Sequence, residues 1–172
     1  NFMPILRENT EFAYKWATLS QSHIEEGIRD PIKAYEYMNK FYVVEGNKRV
    51  SVLKYFDAVS VPGYVTRILP QRTDQKENKL YYEFVDFYAV TQINYVWFTK
   101  LGSFVKLQAA FGKGPKDIWT DDDRLLFSSV YSRFSIEYEA LGGKKLSITT
   151  GDAFLAFLTI YNYDVIDQKT TD

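Results

Sequence analysis

At 172 residues the chain suits one domain or a small domain with an appendage, and its 46% hydrophobic, 25% charged and 17% aromatic residues are those of a globular protein. The 21 Lys and Arg against 22 Asp and Glu leave a net charge of −1, which argues against a surface made for nonspecific nucleic-acid binding while leaving room for a local basic pocket. Cysteine is absent, which removes disulfides, thiolate metal sites and cysteine nucleophiles, and no apolar run reaches bilayer length; a cytoplasmic protein without a membrane partner is the expectation.

Because the chain begins with Asn1 and not Met, it is read as a cut from a longer polypeptide with neighbouring domains. Phe12, Trp16, Leu19 and His23 recur at helical spacing, so a helix is expected over 11–26, capped by Asn9 or Thr10 and stopped by Gly27. Pro31 then opens a β-prone stretch, and Met38-Asn39-Lys40 reads as the turn of a hairpin with strands at 32–37 and 41–45. Val52, Leu53 and Phe56 on one face predict a helix over 47–56, and "VSVPGYVTRILP" predicts a strand ending at Pro70. The polar stretch "QRTDQKEN" at 71–78 is the best internal boundary, dividing residues 1–72 from 73–172. Beyond it "KLYYEFVDFYAV", "SFVKLQAAF", "DDDRLLFSSVYSRFSIEYEAL" and "DAFLAFLTIYNY" read as aromatic-rich helices packed on the first part. There is no internal repeat.

One junction carries chemistry. In "YVVEGNKRVSVLKYF" a strand meets a helix at Gly46-Asn47-Lys48-Arg49. Gly46 admits a backbone conformation or close approach that a Cβ would block, and Asn47 suits the N-cap. A helix N-terminus carries partial positive charge, so Lys48 and Arg49 there oppose helix stability unless an anion sits in front of them. Arg49 precedes Val52, Leu53 and Phe56 at helical intervals and is expected to point into a cleft, where its planar fork can grip a phosphate or carboxylate; Lys48 is expected to lean towards solvent. The alternative is an internal ion pair between Arg49 and Glu45. Glu45 is also the one candidate catalytic residue, as a base or metal carboxylate beside a bound phosphate.

Over roughly residues 20–70 the succession of a helix ending in Gly27, Pro31-Ile32 opening a strand, a hairpin, Gly46-x-x-Arg49, a helix and a strand containing Pro62 resembles the ParB N-terminal/sulfiredoxin-like superfamily. The resemblance implies an α+β fold, a small mixed β-sheet with helices extended here by a C-terminal helical subdomain. It also implies that the turn binds nucleotide phosphates, with ATP or CTP and Mg²⁺ as the cofactors to test and Gly46, Asn47, Lys48 and Arg49 as the phosphate contacts. This chain departs from sulfiredoxins in lacking their catalytic cysteine, which excludes that activity, and from partition proteins in having Lys48–Arg49 where they carry two arginines. The function expected is a nucleotide- or phosphate-binding regulatory module. The alternatives are a nucleotide-dependent phosphotransferase or hydrolase, and a ParB-like DNA-binding or transcriptional protein.

The remaining motifs have simpler explanations. Asp121, Asp122 and Asp123 after Thr120 suit the first turn of a capped helix better than a metal site, since consecutive helical residues point apart. "FGKGPKD" lacks phosphate-loop spacing. His23 is the only histidine and reads as packed or capping. Gly142–Gly143 and Thr149 or Thr150 frame two helices, but "AFLAFLTIYNY" lacks the Arg, Asn and Gln of a recognition helix. The rings of Tyr81, Tyr82, Phe84, Phe87 and Tyr88 at helical spacing are read first as core. The wealth of aromatics predicts burial against another domain or in a homodimer.

Overall fold

The computed structural model describes residues 2–4, 7, 9–58 and 60–167. Among them are three strands and seven α-helices, an α+β chain that divides into two compact units, Asn1–Gln71 and Arg72–Asp172.

Period-two alternation makes the sheet of the first unit. In β1 (Ile32–Tyr37) Ile32, Ala34 and Glu36 are buried while Lys33, Tyr35 and Tyr37 are exposed, the pattern of a strand covered on one face. Met38 and Asn39 both have positive φ, 50° and 61°, as a two-residue hairpin turn with the strands' own twist demands. Lys40 consequently belongs to β2 (Lys40–Glu45), which runs antiparallel to β1. The register places Tyr35 opposite Tyr42 and Ala34 opposite Val43, then slips, so that Lys33 faces Glu45 and Val44 is passed over. Helix α2 (Asn47–Tyr55) follows, and β3 (Gly63–Arg67) lies parallel to β1 on its other side, giving the order β2-β1-β3. The strand expected to run to Pro70 stops at Arg67. Beyond Ile68, whose N–H still donates to the Glu36 carbonyl at 2.8 Å, β1 turns away into its hairpin and offers no further partner.

Helix α1 (Glu11–Glu26) starts at Thr10, whose hydroxyl accepts from the Ala13 N–H at 3.2 Å, and ends at Gly27. It lays Trp16 against α2: the indole N–H donates to Ser51 Oγ at 3.0 Å, and the ring meets Tyr55 edge-on with centroids 5.2 Å apart. The core under the sheet is thin. Ile32, Ala34 and Val50 form it, with Phe2, Val43 and Val61 packed at its margin. At the hairpin end of the same face Glu36 is buried, accepting from Arg67 Nε and from the Asn39 N–H, both at 2.6 Å.

The second unit is helical: α3 (Lys76–Thr91), α4 (Ser103–Ala110), α5 (Asp121–Ala140), α6 (Thr150–Leu158) and α7 (Asp164–Asp167). Helix α3 begins inside the polar stretch read from sequence as the internal boundary, because Asn78 is buried and its amide oxygen accepts the Thr73 N–H at 2.9 Å. Phe84, Phe87, Phe98, Phe104, Trp119, Phe127 and Phe154 are all essentially buried and meet largely edge-on or tilted, the arrangement ring quadrupoles favour. Gly151 opens this packing: a Cβ there would stand 2.3 Å from the Trp97 carbonyl oxygen. Helix α5 carries the capping box anticipated at Thr120, reciprocated by Asp123. Helix α6 is capped by Thr149 and ends at Leu158, earlier than the apolar run "AFLAFLTIYNY" suggests. No helix among the described residues is long and apolar enough to cross a membrane.

Candidate functional site

The junction between β2 and α2 is built around Gly46. Its φ of 100° and ψ of 21° are left-handed, and an added Cβ would lie 2.6 Å from Ile32 Cγ2 and 3.4 Å from Arg49 Nε. Both the dihedral and the packing therefore require glycine. Gly46, and not Asn47, is the N-cap. The chain must reverse in the left-handed region before the helix can begin, so Asn47 becomes the first helical residue and is exposed, with no side-chain capping bond. The first backbone bond of α2 runs from the Val50 N–H to the Gly46 carbonyl at 3.0 Å. The N–H groups of residues 47, 48 and 49 come before it, and the first turn contains no acidic residue to answer them.

Arg49 does not project freely into a cleft as the helical spacing suggested. Its side chain is 19% exposed; one arm (Nη1) donates to the Pro31 carbonyl and the other (Nη2) lies 3.5 Å from Glu45 Oε1. The backbone contact is firm, whereas 3.5 Å is the outer limit of a hydrogen bond. Glu45 is held more closely by Lys33, whose Nζ stands 2.8 Å from Oε2. This cation lies twelve positions away in sequence and was not singled out there; the register slip in the hairpin brings it opposite Glu45.

The hydrogen bond and charge of Lys33, with a smaller contribution from Arg49, hold the Glu45 carboxyl below its ordinary value. Glu45 reciprocally raises Lys33. A carboxylate so stabilised as the anion is a weak proton acceptor near neutral pH. Lys48 does not lean out to solvent either: it is half-buried, with its ammonium 5.4 Å from the centre of the Phe12 ring. Lys33 and Arg49 thus share the Glu45 carboxylate beside a helix start that has no side-chain cap, while Lys48 lies against Phe12 and acts on Glu11.

The other motifs are absorbed locally. Asp121 pairs with Arg124, and Asp123 accepts from Lys113 Nζ at 2.7 Å and from the Thr120 N–H at 2.8 Å. These bonds, Lys113 first, pull Asp123 down to about 2. His23 accepts the Ile28 N–H at Nδ1 and packs on Phe56. Lys144 pairs with Glu139. In α3 Tyr81, Tyr82, Phe84 and Phe87 are buried. The one charged side chain of α6, Asp152, accepts from the Thr99 N–H and hydroxyl. Among the described residues, no three His, Asp or Glu side chains stand together as a metal site.

Comparison of the chain with protein-family models, with curated proteins and with solved structures found no significant match.

Proposed function

We propose that the first unit is a ParB/sulfiredoxin-like domain acting in the cytoplasm as a regulatory module, binding a nucleotide or other phosphorylated small molecule at Gly46-Asn47-Lys48-Arg49. The observation that supports this reading most is the state of Arg49. One arm of its guanidinium is anchored on the Pro31 carbonyl, which fixes its position, while the other is held only loosely by Glu45 at 3.5 Å. A phosphate oxygen takes the loosely held arm, and the N–H groups at 47, 48 and 49, which lack a capping side chain, receive the remaining oxygens. Glu45 is then the resident anion that the ligand displaces.

Among the described residues no three metal-ligating side chains gather at the turn, and Lys33 already holds Glu45; the residues do not fit a protein-held metal, and Mg²⁺ would come with the nucleotide. The same carboxylate argues against phosphoryl transfer with Glu45 as base, because its pKa is depressed. The chain lacks the cysteine that sulfiredoxin chemistry needs. A DNA-binding role draws no support from α6, whose sequence TGDAFLAFL carries no Arg, Asn or Gln.

Calorimetric titration with ATP, CTP, GTP and inorganic phosphate, with and without Mg²⁺, tests the proposal. Binding is lost in Arg49→Ala and strengthened in Glu45→Gln, which removes the competing carboxylate. No binding by any of these ligands, or unchanged binding by a folded Arg49→Ala, ends this reading and leaves Arg49 as a structural residue. Turnover that vanishes in Glu45→Gln while binding persists would instead establish the enzymatic alternative.

A further inference from the structure

The covered face of the sheet is not fully covered. Helix α2 has nine residues, about 14 Å at 1.5 Å per residue, too short to roof three strands. Beside it lies a groove of about 380 Å³, within the range of small-molecule sites. Ile32 and Ala34 form its floor, and Phe2, Phe41 and Val65 its rims. Phe41 and Val65 remain 59% and 50% exposed, so this apolar lining is wet.

Of the described residues around the groove one is charged, Lys54, and none is acidic. Lys54 stands one helical turn beyond Val50 and so on the same face of α2. Its ammonium lies 5.8 Å from the centre of the Phe2 ring, at the mouth, and no carboxylate among the described residues pairs with it. At about 30 Å³ per atom, the share of a molecule in liquid water, the volume holds roughly a dozen non-hydrogen atoms.

We infer that this groove binds a small amphipathic carboxylate, an apolar body of acyl or aryl type carrying one negative headgroup that Lys54 receives. None of the groove's described lining residues belongs to the turn at 46–49, although Ile32 adjoins both, and the inference does not depend on the reading given to that turn. The apolar body removes Phe41, Val65 and the floor from water, and the headgroup gives Lys54 the counter-charge it lacks. A dianion gains little more, since one cation faces it; a cationic amphiphile is repelled.

Calorimetric titration of the whole chain with decanoate, 1-decanol and decyltrimethylammonium tests this, each below its micellar concentration. Decanoate binds at one site per chain and decyltrimethylammonium does not. Lys54→Gln weakens decanoate about fivefold, the upper range for a partly exposed ion pair, and leaves decanol unchanged. Val65→Trp, which fills the groove from an exposed strand position, abolishes both; retention of the Trp16 indole resonance shows that variant folded. Arg49→Ala binds decanoate as the unaltered chain does, which keeps this result independent of the phosphate site. Equal binding of the anion and the cation, indifference to Lys54→Gln, or undiminished binding by folded Val65→Trp would overturn the inference. So would self-association that Val65→Trp abolishes, which would assign the groove to a second copy of the chain.

Discussion

Replacing Gly46 separates two physical demands made at one position. A non-glycine residue in the left-handed region costs about 1 kcal/mol or somewhat more. A Cβ 2.6 Å from Ile32 Cγ2 adds a second cost, since that methyl group is branched directly from its own Cβ and Ile32 belongs to the core under the sheet; forcing an extra carbon into packed surroundings costs about 1–3 kcal/mol. Gly46→Ala is therefore expected to destabilise the first unit by about 3 kcal/mol. Gly142 supplies the comparison. Its φ of 88° and ψ of 17° resemble those of Gly46, yet a Cβ there meets nothing within 4 Å, so Gly142→Ala bears the dihedral cost alone, about 1 kcal/mol. Gly46→Asn tolerates the left-handed region but keeps the Cβ, and is expected at about 2 kcal/mol. Urea denaturation followed at the Trp16 indole N–H resonance reports the first unit, because that group is bonded to Ser51; Trp119, buried among phenylalanines, reports the second. A Gly46→Ala cost no larger than that of Gly142→Ala, or a Gly46→Asn that is neutral, would show that the approach of Ile32 does not constrain the turn.

Arg67→Ala takes the guanidinium away from the buried Glu36 carboxylate and is expected to destabilise the first unit by about 3 kcal/mol in the same assay, whereas replacing Glu36 and Arg67 together by leucine costs less, because both charges of the pair leave together. Phe154→Ala removes a fully buried ring that meets Phe127, Tyr131 and Phe134 and is expected to cost about 4 kcal/mol, measured by urea denaturation at the fluorescence of Trp97 and Trp119. Asp123 titrates at about 2 in the folded chain against an ordinary 3.8, so its contribution to stability is present above about pH 4 and fades as pH falls towards 2. The difference in Tm between the unaltered chain and Asp123→Asn should accordingly shrink across that window; a difference constant from pH 5 to pH 2 would refute the assignment.

The elements legible in the sequence are those whose signals are local. Helix α1 needs only Thr10 at its start, Gly27 after its end and apolar residues at helical spacing between them. Thr120 followed by three aspartates specifies the start of α5, since a cap is completed within four residues. For β1, Pro31 opening a β-prone run and the turn residues after it are enough. The places where reading failed are those where a distant residue decides. The third strand ends at Arg67 because its partner turns away, which no property of Ile68, Leu69 or Pro70 reveals. Asn78 belongs to a helix despite its polar neighbours because burial gives it a backbone partner at Thr73. Asn47 is displaced from the cap because Gly46 already occupies the reversal.

At the candidate site the sequence by itself determined the requirement for glycine between a strand and a helix, and a concentration of positive charge just after it. Both follow from residue types within four positions. The tertiary structure decided what that charge meets. Lys33 faces Glu45 only because the hairpin register slips by one residue, and Arg49 reaches Pro31 only because β1 and α2 begin side by side. Backbone conformation and capping are short-range and are written in neighbouring residues; ion-pair geometry depends on which strands align and in what register, which is fixed when the sheet forms.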